Sequence, residues 1–135
     1  MILHDLIDDA LSLIGVLAET QSASAEQCDL AIRKLNLLLA QWELDGIDLQ
    51  WTPVSDADLS EEMPLPSGSE IAVEYYLAFA LAPNFRKQVS QELVSAGQSF
   101  YDSLVRRTVV DQIAAQRPDR AFGEGQTFFT DITTL

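Results

Sequence analysis

Apolar residues recur at intervals of three and four along the first stretch of the chain, a spacing that places side chains on one face of an α-helix. Aspartate and serine fill the positions between them, and Gly15 follows where a left-handed residue closes a helix. The pattern therefore predicts an amphipathic first helix. Its inner stripe consists of Leu3, Leu6, Ile7, Ala10, Leu11 and Ile14.

A second helix is predicted to begin after Ser24, because Gln27 three residues later completes a capping box. Gly46 ends it. The run of leucines before Ala40 makes a wider apolar band than one buried face needs, so we expect Leu37 or Ala40 to face another chain. The predicted inner face consists of Cys28, Ala31, Leu35, Leu38, Leu39 and Trp42.

The third helix is predicted to begin at Glu70, with Ser69 as its cap, and it is apolar on nearly every side. Only Glu70 and Glu74 carry charge in it. A helix of this kind is either central in its own domain or covered by a neighbour, so contact with another subunit is expected. The predicted inner row consists of Ile71, Tyr75, Ala78, Phe79 and Ala82.

Pro83 is predicted to break the third helix, because proline lacks an amide donor and restricts the residue before it. A fourth helix is predicted over residues 85–116. Gly97 inside it costs about 1 kcal/mol relative to alanine, which indicates either the close approach of another helix or a slight bend. The stripe consists of Val89, Leu93, Ala96, Phe100 and Leu104, with Val109 and Ile113 as further members.

Residues 46–68 form the longest stretch without helical periodicity, and they contain three prolines and several acidic residues. A connection of this length is uncommon in a compact domain and is usually functional, so we predict that it projects and binds a partner. Ile47, Leu49 and Trp51 are the candidate contact residues. They alternate as in a short strand, and a β-hairpin with residues before Pro64 is possible.

The sequence loses its helical stripe after Pro118, and the last residues contain apolar side chains that so short a segment cannot bury by itself. We predict an extended C-terminal arm that binds another chain by strand addition or by docking into a groove. Folding back onto its own bundle is the alternative. The candidate arm residues are Phe122, Phe128, Phe129, Ile132 and Leu135.

Together these elements predict an all-α fold, with a four-helix, bundle-like domain over residues 1–116, a long acidic loop, and an arm over residues 117–135. A length of 135 residues suits one domain, and the 47% of apolar residues argues against disorder for most of the chain.

The formal net charge of −13 is concentrated in the first half of the chain. Residues 1–70 contain 14 acidic and two basic side chains, whereas residues 71–135 contain seven acidic and six basic ones. Phosphate binding needs clustered lysine or arginine, so direct DNA binding by the first half is disfavoured.

The residue types needed for catalysis or metal binding are sparse. Cys28 is the only cysteine, which rules out an intrachain disulfide, and His4 is the only histidine. The acids Glu61 and Glu62 could serve a hydrolase, but adjacent loop acids rarely do so. No catalytic signature, cofactor motif or membrane-length apolar run is present. We therefore expect that the chain is not an enzyme and that it binds no cofactor, metal or membrane.

Two segments near the N-terminus resemble the head-to-tail adaptor, or tail accessory factor, proteins of tailed phages. In that family a first helix ending in Leu-Gly-Val, or a similar sequence, precedes a longer one ending in Leu-Asn-x-x-Leu-x-x-Trp-x-x-x-Gly-Ile. The matching residues here are Ile14, Gly15 and Val16, then Leu35, Asn36, Leu39, Trp42, Gly46 and Ile47. The resemblance covers roughly the first 50 residues, and the later helices follow it only in general pattern.

The resemblance implies a structural virion protein at the head-tail junction, present in the host cytoplasm during assembly. It implies a ring, typically of twelve copies, that binds the portal protein and a downstream tail protein while DNA passes through the channel. It supplies no catalytic residues. Two other classes stay open: a small cytosolic helical adaptor or regulatory module acting as a dimer, and a monomeric hydrolase that uses Glu61 or Glu62.

Overall fold

A computed structural model of the chain describes residues 1–116, with side chains described for residues 1–110. Its elements are the helices α1 (Leu3–Leu13), α2 (Ala25–Leu44), α3 (Glu70–Leu81) and α4 (Gln91–Gln116), with short 3-10 turns at Asp56–Asp58 and Ala82–Phe85. The described residues contain no strand, only an isolated antiparallel bridge between Ile2 and Glu62. The all-α prediction is confirmed, and the possible hairpin of the loop is not formed.

The chain divides into an N-terminal unit, Met1–Leu104, and a C-terminal unit, Val105–Leu135. Within the N-terminal unit, α1 packs mainly against α3, and α2 packs against both. In the part of the chain that is described, no helix combines the length and the apolar character needed to span a bilayer.

Helix α1 forms as its spacing predicts. All six residues of the predicted stripe are buried, and Gly15 adopts a φ of +77° just past the C-terminus of the helix. Burying a leucine or isoleucine side chain contributes about 1.5–3 kcal/mol. The stripe of α1 is therefore a main source of stability for the N-terminal unit.

Helix α2 begins at the predicted capping box. The Ser24 hydroxyl accepts from the Gln27 amide, and the Gln27 side chain accepts from the Ser24 amide. Its buried face matches the prediction, except that Ile32 is buried and Leu38 is only half-buried.

The predicted inner row of α3 is partly wrong. Ile71 is 43% exposed, Tyr75 and Phe79 are half-buried, and the buried face consists of Ala72, Val73, Leu77, Ala78 and Leu81. The reason is physical: a helix that is apolar all round has no polar face to fix its rotation, so spacing alone cannot tell which row points inward.

Helix α4 begins six residues later than predicted. Pro83 does not end the helical path at once, because Ala82–Phe85 continues as a 3-10 turn and Arg86 then reverses the chain in the left-handed region at φ 55°. The predicted close approach at Gly97 is present. A β-carbon built there would lie 2.6 Å from Cε2 of Phe79 and 3.4 Å from Cβ of Tyr75, so α3 and α4 meet at a point that admits only glycine without rearrangement.

Candidate functional site

Asn36 on α2 holds the 46–68 loop against the helix. Its side-chain amide donates to the Val54 carbonyl at 3.0 Å, and its side-chain oxygen accepts from the Val54 amide at 3.1 Å. One side chain thus satisfies both backbone groups of a loop residue. Asparagine is disfavoured in a helix interior, because its side chain competes for the hydrogen bonds of the helix backbone. Here the Asn36 side chain forms hydrogen bonds with the loop backbone instead.

The first turn of α1 fixes the other end of the loop. Ile2, which precedes α1, offers no side-chain cap, so the first amides of the helix need other acceptors. The Leu3 amide donates to the Glu61 carbonyl at 3.1 Å, and the His4 amide donates to the Leu59 carbonyl at 3.0 Å. The loop backbone therefore caps α1.

The structure corrects the prediction that the 46–68 loop projects with its apolar residues available to a partner. Ile47 and Leu49 are only 5% and 4% exposed, and Trp51 is half-buried. They belong to the core of the N-terminal unit together with Val54 and Met63. Segment length and prolines suggested a projecting loop, but the hydrogen bonds that hold it are made by residues outside the loop.

Trp42 belongs to a cluster of aromatic rings that joins α2, α3 and the part of α4 within the N-terminal unit. Its ring centroid lies 5.7 Å from that of Tyr76 and 5.3 Å from that of Tyr101. Tyr75, Phe79 and Phe100 extend the cluster with edge-to-face contacts. Such pairs are worth about 0.5–1.5 kcal/mol each beyond area burial. Trp42 and the buried Ile47 of the family-like motif therefore serve packing, and Gly46 adopts a left-handed φ of +96° just after α2.

Besides Met1 and Ile71, two pairs of large apolar side chains are exposed in the described residues. On α2, Leu37 is 67% exposed and Leu44 is 83% exposed, and Ala40 is exposed as well. Contact of Leu37 or Ala40 with another chain stays a prediction. In the C-terminal unit, Val109 and Val110 are 46% and 62% exposed. Leu44 was not predicted, although it lies seven residues from Leu37, and Val109 was predicted on a buried stripe.

The proposed arm residues cannot be compared with the structure. Phe122, Phe128, Phe129, Ile132 and Leu135 lie outside the described residues. Their assignment as partner contacts stays a prediction.

Charge separates the two units. Residues 1–104 contain 17 acidic and four basic side chains, a formal charge of −13, whereas residues 105–135 contain four of each. The whole net charge of the chain therefore belongs to the N-terminal unit.

A titratable carboxyl lies between α1 and α3. Burial raises the pKa of Glu74 to about 7, and the negative charge of Asp9 adds to the rise. Asp9 is an exposed residue, but partial burial of its carboxyl raises its pKa in turn, as do the charges of Asp5 and Asp8. Glu74 therefore exchanges its proton near neutral pH, which makes the stability of the N-terminal unit dependent on pH.

Asp8 ties α1 to the segment that precedes α2. One of its carboxylate oxygens lies 3.0 Å from Nδ1 of His4, and the other accepts from the Ala23 amide at 2.8 Å. The potential ligand atoms of His4, Asp5 and Asp8 all lie within 4.8 Å of one another. The contacts of Asp8 explain this grouping as a structural link within the fold.

A groove of about 340 Å³ lies between α2 and the turn at Asp56–Asp58. A side-chain hydrogen bond with Asp29 is the main cause of the raised pKa of Asp56. Such a bond between two carboxyl groups needs a proton on one of them, so it forms only as the pH falls. Asp29, Asp56 and Arg33 are the charged residues that line the groove.

Comparison with known families gives one match that spans nearly the whole chain. A family model described as P22 tail accessory factor matches residues 3–134. No curated protein matches the chain at a significant level. The matched range includes both helices that resemble phage adaptors, the aromatic cluster, and nearly all of the C-terminal unit.

Proposed function

The chain belongs to the P22 tail accessory factor family, and on that premise we propose that it forms a ring joining the portal vertex of a phage head to the tail. Membership gives the chain a structural role in a phage virion, in contact with other virion proteins. The match over residues 3–134 is the observation that carries the proposal. The ring, its position at the head-tail junction and a count of twelve copies are the proposed parts.

The exposed apolar side chains support a role in assembly. Apolar patches on a soluble protein commonly mark contacts with other proteins, and here they occur on both units, at Leu37 and Leu44 and at Val109 and Val110. We assign the partners as further copies of the chain, the portal protein and a downstream tail protein. The arm residues are proposed to contact one of these.

The charge of the N-terminal unit suits a channel through which DNA passes without binding. A wall of like charge offers phosphates no cationic contacts, so DNA can slide along it. Exposed acids on α1 and α2, including Asp5, Asp9, Glu26 and Asp29, are the proposed channel surface. Electron cryomicroscopy of the ring on its portal tests this, and acids of α1 and α2 that face outward would refute it.

We also propose that the chain acts through geometry and contact rather than through bond chemistry, as an assembly protein and not an enzyme. The loop acids Glu61 and Glu62 that a hydrolase would need are both exposed, on a loop that the structure holds against α1 and α2. A hydrolase would lose turnover when either acid is changed to glutamine. The assembly role predicts that both variants still join a portal ring.

Native mass, measured on the purified chain alone and then mixed with a portal ring, tests the proposal directly. A stoichiometric ring of this chain on the portal is the expected result. A stable dimer that ignores the portal would refute it and favour the cytosolic adaptor module. Phe128→Ser with Phe129→Ser in the full chain should weaken portal binding if the arm makes that contact, and a solvent-facing control such as Thr52→Ser should not.

A further inference from the structure

One edge of α2 presents leucines at every seventh residue to the outside of the N-terminal unit. Leu30 is half-buried, while Leu37 and Leu44 are the two most exposed large apolar residues of the described chain. Seven residues fall only about 20° short of two full turns of an α-helix, so these side chains lie almost in line, about 10 Å apart. We call Leu30, Leu37 and Leu44 the leucine edge.

The C-terminal unit presents a smaller apolar surface beside a basic side chain. Val109 and Val110 are exposed on α4, and Arg107 is exposed two residues before them. This unit has no net charge, and over residues 105–120 its four arginines outnumber two aspartates. Val109 and Val110 therefore belong to a unit without net charge and lie close in sequence to a cationic side chain.

Charge decides which surface suits the leucine edge. Glu43 and Asp45 are exposed at its C-terminal end, and the unit that contains it carries all of the net charge of −13. Two leucine edges facing each other would bring two such units together, and like charges placed opposite each other oppose association. Val109 and Val110 of α4 offer the leucine edge an apolar surface close to the positive charge of Arg107, in a unit without net negative charge.

We propose that Val109 and Val110 of one copy dock onto the leucine edge of a second copy, with Arg107 beside Glu43 and Asp45. The two surfaces are different patches, so the contact is heterologous and each copy can bind one neighbour on each side. Repetition closes a ring or extends a filament. This inference rests on the proposed self-association of the chain, but it needs no contact with the portal.

Cysteine cross-linking tests the pairing directly. The only native cysteine, Cys28, is buried and is replaced by alanine, and Leu44→Cys and Val110→Cys are made in separate chains. Both positions are exposed, so neither change threatens folding. On mild oxidation, the mixture should give a covalent species of twice the 14.9 kDa chain mass that contains one copy of each variant.

The other cross-linking results each overturn the inference. Dimers that form equally well from Leu44→Cys alone would show that leucine edges pair with each other. A double variant that closes an internal disulfide, and so stays at the mass of one chain, would show that the leucine edge binds α4 of its own chain. A mixture that stays uncross-linked at concentrations where the chain is associated would exclude the pairing.

Charge reversal gives a second test that keeps the native cysteine. Arg107→Glu should reduce association at least several-fold, and Glu43→Arg in the same chain should restore most of it. Arg86→Glu is the matched control, because it is an exposed base outside both surfaces and should leave association unchanged. Equal losses of association from Arg107→Glu and from Arg86→Glu would indicate a general effect of net charge and refute the specific contact.

Samples with and without the portal separate failure of this inference from failure of the proposed function. A ring on the portal without the 44–110 cross-link would overturn this interface and leave the connector role standing. The cross-link without any portal binding would support the interface and refute the connector role.

Discussion

Asn36→Ala removes the side chain that holds the 46–68 loop to α2. The variant loses two hydrogen bonds to Val54, at 3.0 and 3.1 Å, and leaves both backbone groups of that residue without this partner. Each bond contributes about 0.5–1.5 kcal/mol, and alanine returns roughly 0.5 kcal/mol through its higher helix propensity. The expected loss in the free energy of unfolding is therefore about 1–2 kcal/mol.

Urea denaturation measures the global effect, and hydrogen exchange of the Val54 amide measures the local one. A loss of this size should speed exchange of that amide by roughly 5–30-fold. Asn36→Asp keeps the oxygen that accepts from the Val54 amide and removes only the donor to the Val54 carbonyl. The Val54 amide should therefore stay protected from exchange, while the free energy of unfolding falls.

Gln41→Ala is the matched control for this prediction. The Gln41 side chain is exposed on the same helix, and its amide donates to the Asp45 carboxylate at 3.2 Å. Its loss should change stability by no more than about 0.5 kcal/mol. If Asn36→Ala matches Gln41→Ala in both measurements, Asn36 does not hold the loop.

Three further predictions concern helix packing and surface residues. The pKa of Glu74 rises from 4.5 to about 7 on folding, so its carboxylate reduces stability as the pH rises from about 4.5 to about 8, and protonation restores it. Glu74→Gln should therefore stabilise the chain at pH 8 by about 1–2 kcal/mol, a value discounted for partial exposure, and much less at pH 5 in urea denaturation; the exposed control Glu92→Gln should show no such gain. Gly97→Ala should cost about 1–2 kcal/mol through the 2.6 Å approach to Phe79, and Phe79→Leu in the same chain should recover part of it, as a double-mutant cycle would measure. Leu44→Gln should leave the free energy of unfolding of the isolated chain, measured by thermal denaturation, within about 0.5 kcal/mol of wild type, because the side chain is 83% exposed. A larger loss would mean that Leu44 packs within its own chain.

Local patterns predict the helices of this chain well where apolar residues occupy one face and polar residues the other. The stripe of α1 and the cap at Ser24 follow from spacing and from one serine-glutamine pair, and both are present. The rotation of α3 could not be predicted, because Val73 and Ile71 are equally apolar and only tertiary contacts bury one of them.

The loop shows the limit of reading a segment by itself. Its prolines and acids are typical of a projecting connection, yet the Asn36 side chain and the first amides of α1 bind its backbone from distant parts of the chain. One signal was available. The loop contains Ile47, Leu49 and Val54, which is a larger number of apolar residues than a solvated loop usually has. The mid-helix asparagine was a second sign, since that residue is usually disfavoured there unless its side chain is used.

The capping of α1 by Leu59 and Glu61 has a consequence for how the chain folds during its synthesis. The amides of Leu3 and His4 emerge from the ribosome more than 50 residues before their acceptors, and α3, against which α1 packs, lies later still. At about 5–20 residues per second, a ribosome takes several seconds to make that stretch. Helix α1 is therefore made before the groups that complete it, and its apolar stripe stays unburied until α3 has been synthesised.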